Sequence, residues 1–256
     1  MGSALLQGWL NSNIEAQFVV IDPHTPEKFK NHPGVYWCAE EIGNCPDVIE
    51  PSDMFVFAIK PQIIEEACMG LGYDRDCCML SIAAGKSLSY FENFFGNTQP
   101  IIRAMPNTPA AIGKGMSIAI ANSATTDEQK FLAAQLLETA GQLEWIDDES
   151  LMDAVTALSG SGPAYVFYLI EMLASAGTKA GLPEDMATTL ARQTVIGAAA
   201  LAEADPQTGA ATLRQNVTSP GGTTEAALNI LMDGTVQDVF DKALEAATSR
   251  SKELNS

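Results

Sequence analysis

The sequence predicts an α/β domain over residues 1–148, followed by an all-helical domain over 149–256. Three observations carry this reading. Short β-branched or aromatic runs alternate with helical stretches as far as Asp147-Asp148, the grammar of a parallel sheet covered on both faces. Beyond that pair no strand-like run occurs, only Ala-rich helical stretches broken by Gly and Pro. The chain has 256 residues, 46% hydrophobic and 18% charged, which is enough apolar material for two cores and too much for bulk disorder.

In the first half, Met1–Leu10 reads as a helix. Phe18–Ile21, Val35–Cys38, Met54–Ile59, Cys78–Ala83, Pro100–Met105, Met116–Ala121 and Leu143–Ile146 have strand length and composition. Ile63–Met69 and Thr125–Gly141 read as helices between them. The second has a capping start at Thr126 with Gln129 three residues on, and stops at Gly141. In the second half Pro163 suits a helix start, and Gly181-Leu182-Pro183 is a stop signal. Helices are predicted over Glu184–Ala204, Ala210–Asn216, Thr224–Met232 and Val236–Leu254. In the last, Val236, Val239, Phe240, Ala243, Leu244 and Ala247 fall on one face at helical spacing, a stripe read as core packing. Residues 151–256 are nonetheless apolar on more than one face, more than a bundle of that size buries alone, which predicts a dimer through this half.

Charge excludes one class of partner. Lys plus Arg number 14 against 32 Asp plus Glu, a net charge of −18, and neither half is basic, so a nucleic-acid groove is not expected. The longest apolar stretches fall far short of a membrane span. Five cysteines, Cys38, Cys45, Cys68, Cys77 and Cys78, show no CxxC spacing and read as reduced thiols, not as a metal site or disulfide framework. A cytoplasmic protein without a metal is the expectation.

The chemistry begins at the N-terminus. Met1-Gly2-Ser3-Ala4 opens a helix, and Asp22, at the end of the run Phe18–Ile21, lies twenty residues after Gly2. That is the spacing from the glycine turn of a Rossmann-type dinucleotide-binding unit to the acid that contacts the ribose. Taken alone this segment is better explained as an ordinary helix, strand and turn; three other segments add to it. Ala58-Ile59-Lys60-Pro61-Gln62 and Arg103–Pro109 each leave a strand at the edge where α/β proteins bind ligands. In the helical half, Asn216-Val217-Thr218-Ser219-Pro220-Gly221-Gly222-Thr223-Thr224 concentrates hydroxyls and amides before a helix. Such a turn suits a small carboxylate, and equally a plain connector with a hydroxyl cap.

Taken together these segments, with Leu158–Tyr165 (LSGSGPAY), resemble the pyrroline-5-carboxylate reductase family over essentially the whole chain. Val217–Thr224 is the most specific match and Arg103–Ala110 the next. The resemblance implies a dinucleotide-binding domain, then a helical domain that interlocks with its twin in a homodimer or a larger ring of dimers, and active sites formed by the two kinds of domain. It implies reduction of the cyclic imine 1-pyrroline-5-carboxylate to L-proline with NADPH or NADH. Thr224 would hydrogen-bond the imine nitrogen, while Ser219 and the amides around Gly222 and Thr223 would hold the carboxylate. Gly2, Asp22, His24, Asn44, Ala58, Lys60, Pro106, Asn107 and Asn216 would bind the cofactor. Asp22 opposes a 2′-phosphate and favours NADH, whereas His24, Thr25 and Lys28 would accept that phosphate; the family preference tips the expectation to NADPH.

One departure is visible. The family opens with a strand and a Gly-x-Gly-x-Met-Gly turn, and this chain begins at the Met-Gly of that turn. The expectation is that the first strand is missing, through a late start site or a truncated product. Two alternatives follow. One is a related hydroxyacid dehydrogenase, which wants a Lys or His acid in the helical half; its lysines, Lys179, Lys242 and Lys252, sit in no glycine- or hydroxyl-rich motif. The other is a dimeric scaffold without activity.

Overall fold

The computed structural model describes residues 1–12, 14–22, 29, 32–38, 53–69 and 77–255. They form two compact units: Met1–Gly160 together with Ala247–Ser256, and Ser161–Ala246. Packing therefore divides the chain differently from the change of grammar at residue 148. The stretch 149–160 belongs with the first unit because Met152, 1% exposed, is buried with Phe57, Met79 and Phe91.

In the first unit α1 (Gly2–Asn11) turns Leu5, Leu6 and Trp9 inward, and the Trp9 indole N–H donates to the Leu136 carbonyl at 2.9 Å. The strands are β1 (Phe18–Ile21), β2 (Val35–Cys38), β3 (Met54–Phe57), β4 (Cys78–Ser81), β5 (Ile101–Met105), β6 (Gly115–Ala121) and β7 (Gly141–Trp145). They make two sheets, β1-β2 and β3-β4-β5-β6-β7. All pairings are parallel except β5 with β6. The expected parallel sheet is corrected at that point. Residues 106–114 are too short for the crossover of a dozen or more residues that a parallel return needs, so β6 runs back beside β5.

Strand β4 is buried along its whole length, as a strand covered on both faces must be. Helices α2 (Ile64–Met69), α3 (Leu88–Phe95) and α4 (Asp127–Glu138) supply the cover. The α4 start is the predicted capping box: Thr126 Oγ1 accepts from Gln129 N, and Gln129 Oε1 accepts from Thr126 N. The sequence reading missed α3. Ser87 caps it by accepting from Tyr90 N at 3.1 Å, and its Phe91 and Phe95 rings meet Phe57 of β3. Cys68, Cys77 and Cys78 are free and buried, but Cys38 is disulfide-bonded. The expectation of five reduced thiols fails there because bridging depends on two Cα atoms coming within about 7 Å in the fold, which sequence spacing does not reveal.

After β7 come α5 (Met152–Val155) and a π-helical turn, Thr156–Gly160. The second unit holds α6 (Gly162–Lys179), α7 (Glu184–Ala204), α8 (Ala210–Asn216), α9 (Thr223–Leu231) and the first half of α10 (Thr235–Asn255). Pro163 lies in the first turn of α6, as predicted. The last turns of α10 belong to the first unit, where the buried Ser251 hydroxyl donates to Asp153 Oδ1 at 2.7 Å.

The second unit has almost no interior. Among its described residues, Ala187 and Ala191 are the buried hydrophobics, while Phe167, Tyr168, Leu201, Ile230 and Val239 are each at least 60% exposed. The α10 stripe is corrected accordingly: Val236, Val239, Phe240 and Ala243 are exposed, and Leu244 and Ala247 are half-buried. The periodicity was that of an apolar face, but none of the described residues covers it. Among the described residues no helix is long and apolar enough to cross a membrane.

Candidate functional site

The two units each carry part of the expected site. In the first unit, Gly2 stands at the start of α1 against the end of β3: a Cβ added there would lie 3.0 Å from Ala58 Cβ. Two expected cofactor residues, 56 positions apart in the sequence, thus meet through a contact that only glycine permits without displacement. The amides of Gly2 and Ser3 are first-turn donors without an intrahelical partner, so the α1 N-terminus is an anion-binding end placed beside Ala58. Lys60 follows at the N-cap of a 3-10 turn, Pro61–Ile63, with an exposed side chain.

Asp22 lies just past β1, exposed, its N–H donating to the Cys38 carbonyl and its own carbonyl accepting from the Trp37 indole. Those bonds fix the backbone from which its carboxylate extends. His24 and Asn44, and with them Thr25 and Lys28, lie outside the described residues. Pro106 is buried. Asn107 is half-buried, and its carboxamide is engaged within the protein: Nδ2 donates to the Ser159 carbonyl at 3.2 Å and to Ser159 Oγ at 3.3 Å, while Oδ1 accepts from Met116 N at 2.9 Å.

Close behind Asn107, Arg103 is buried and paired with Glu149, Nη1 to Oε1 at 2.7 Å. The same Oε1 accepts from Leu88 N, at the start of α3. Sequence reasoning missed this pair. Its only trace in the chain is an Arg inside a strand that is otherwise apolar, Ile101–Met105. A groove of about 370 Å³ along α1, lined by Ala4, Gln7, Gly8, Ala110, Gly113 and Thr139 among others, contains none of the expected site residues.

In the second unit the turn before α9 is built from its own hydrogen bonds. Gly221 adopts φ 71°, in the left-handed region. Its N–H donates to Glu225 Oε2 at 2.8 Å, and Gly222 N–H donates to the Ser219 carbonyl at 3.0 Å. The Gly222 amide is therefore occupied inside the turn. The donors left over are the first-turn amides of α9, those of Thr223 and Thr224, which a helix cannot satisfy internally. Gly222 is the N-cap and no side chain caps the helix, so Thr224 is not its cap. Among the described residues the hydroxyls of Thr224 and Ser219 have no hydrogen-bond partner; Thr224 is half-buried and Ser219 exposed. Asn216 ends α8 and is exposed. A cluster of free hydroxyls and helix-end amides is a ready acceptor of a carboxylate and of one further polar atom.

Comparison with known proteins gives this arrangement its setting. The family model for pyrroline-5-carboxylate reductase dimerisation matches residues 149–254. A pyrroline-5-carboxylate reductase of Pseudomonas aeruginosa is 40% identical over 99% of this chain and 93% of its own length. The chain belongs to the pyrroline-5-carboxylate reductase family. The enzyme of that name from Pisum sativum is 41% identical over 82% of this chain and 76% of its own. Among solved structures, a pyrroline-5-carboxylate reductase from Coxiella burnetii superposes with a TM-score of 0.89, at 33% identity, covering 100% of this chain and 95% of that one. A Plasmodium falciparum pyrroline carboxylate reductase with NADP bound superposes with a TM-score of 0.80 at 28% identity, over 100% of this chain and 95% of that one.

Proposed function

We propose that this chain reduces 1-pyrroline-5-carboxylate to L-proline, using NADPH or NADH. The observation that carries the reading is identity of 40% with a pyrroline-5-carboxylate reductase over 99% of the chain. The residues on the page fit the reaction's demands. The α1 N-terminus, with Gly2 and the neighbouring Ala58, suits a dinucleotide pyrophosphate, Asp22 suits a ribose, and Lys60 offers an exposed cation near the end of β3. Pro106 and Asn216 complete the proposed cofactor set; the Asn107 carboxamide, expected there too, is engaged within the protein. The cofactor, when bound, supplies the hydride.

The protein's own part is orientation. Thr224 donates or accepts at the imine nitrogen, and Ser219 with the amides of Thr223 and Thr224 holds the carboxylate. A cyclic imine takes its proton near neutral pH without a strong acid, so a hydroxyl that polarises and aims suffices. We assign residues 1–148 to dinucleotide binding and 149–256 to dimerisation and substrate binding. The homodimer is supported by the dimerisation match and by a helical unit whose apolar faces stand exposed. A cytoplasmic site of action is part of the proposal; the three free thiols favour it and the disulfide at Cys38 opposes it.

The test is direct: mix the purified chain with NADPH and 1-pyrroline-5-carboxylate and follow loss of cofactor absorbance. Proline formed in step with cofactor oxidation is the expected result. Loss of neither, with NADH or NADPH, overturns the activity.

A further inference from the structure

Asn107 has every polar atom of its side chain committed, and none of the bonds stays within its own turn. Its backbone is the N-cap of the 3-10 turn Thr108–Ile112, yet its side chain makes no capping bond there. Instead one carboxamide joins three segments: the loop that leaves β5, the backbone of β6 at Met116, and the π-helical turn Thr156–Gly160 at Ser159. The orientation is dictated by chemistry. Met116 N–H needs an acceptor and the Ser159 carbonyl needs a donor, so only an amide of this length satisfies both.

The turn it holds is unusual in two respects. It is π-helical, a form that is rare and concentrates at functional places. It also ends at Gly160, the last residue of the first unit before the chain passes into the second. Gly160 itself lies against β5, where a Cβ would come within 2.7 Å of Met105 Cε. Thus Met105 and Asn107, two residues apart at the end of β5, both grip the same exit.

We propose that Asn107 is a positioning residue: its carboxamide fixes the π-helical turn Thr156–Gly160 to the loop after β5 and through that turn acts on turnover. Ser159 receives the bond, and Gly160-Ser161-Gly162, which follows, has little side chain to stiffen it, so the clamp supplies the definition that the sequence there lacks. The inference rests on the reductase reading above for its effect on rate, though not for its effect on the turn.

The experiment uses the full chain and Asn107→Asp, which keeps the acceptor for Met116 N–H and sets a carboxylate oxygen against the Ser159 carbonyl. The bond to the Ser159 carbonyl is lost and an oxygen–oxygen repulsion replaces it, and a fall in kcat of about 10-fold is expected. Dissociation constants for NADPH, read by its fluorescence, stay within about 2-fold. Amide hydrogen exchange over residues 156–161 accelerates while β5 stays protected. Asn107→Ala is measured alongside, so that a folding failure of one variant leaves the other to report. A weaker NADPH affinity with unchanged kcat and unchanged exchange at 156–161 overturns the proposal and makes Asn107 a direct cofactor ligand. Unchanged exchange together with unchanged kinetics overturns it as well. If the wild-type chain turns over no 1-pyrroline-5-carboxylate, the activity reading fails, and the exchange measurement still decides whether Asn107 holds the turn.

Discussion

Arg103 and Glu149 form an ion pair, Nη1 to Oε1 at 2.7 Å, in which the arginine is 6% exposed and the glutamate 28%. The asymmetry of burial sets the asymmetry of consequence. Glu149→Ala strands a guanidinium in the core, which costs about 3 kcal/mol. Arg103→Met leaves a carboxylate that still reaches water and still accepts from Leu88 N, and costs about 1 kcal/mol. Urea denaturation of the two variants checks the order; equal losses would contradict it.

On the role proposed for Thr224, loss of its hydroxyl touches chemistry and not folding. The α9 N-cap is Gly222, without a side-chain cap, so Thr224→Ala leaves the melting temperature in place. Catalytic efficiency falls about 10- to 150-fold, with a visible share in kcat, as expected of a bond that strengthens when hydride arrives. Ser219→Ala acts chiefly on KM. A stability loss of about 1 kcal/mol with normal kinetics in Thr224→Ala would return the residue to a capping role.

Burial pushes the Cys78 thiol from its ordinary 9.0 up to about 12, with the neighbouring Cys77 adding to the rise. Cys68 moves the same way, to about 11. The folded state thus keeps a proton that the unfolded state gives up, and the associated stability is complete below pH 9 and is lost as pH rises toward 12. Urea midpoints fall between about pH 8 and pH 10.5, and the fall is shallower in Cys78→Ala. An identical slope in that variant would remove Cys78 as the cause.

The second unit buries only Ala187 and Ala191 among its described hydrophobic residues, which a helical domain does not tolerate alone in water. Light scattering at micromolar concentration is expected to give at least twice the 27.2 kDa mass of the chain. A monomer there removes the dimer from the proposal.

The sequence carried most of the elements because strand and helix periodicities are local. All seven strand readings, the Thr126 capping box and the helices from Pro163 onward correspond to elements of the structure. The helix α3 escaped because Tyr90, Phe91, Phe94 and Phe95 look strand-like in composition, although Ser87 and Gly96 bracket them as a cap and a stop. The reversal of β6 follows from the length of 106–114, which is too short for a parallel crossover. The proposed site residues Gly2, Lys60 and Thr224 rest on sequence motifs. What no spacing revealed was where hydrogen bonds were already spent, at Gly222 and Asn107, since that depends on which segments fold against each other.

The end of α10 completes the first unit through Ser251 and Asp153. On the ribosome, therefore, the unit begun first is finished last: Asp153 emerges long before its partner and waits while the whole of Ser161–Ala246 is translated. Loss of the last turns of α10 would thus injure the first unit, although those turns follow the second unit in the chain.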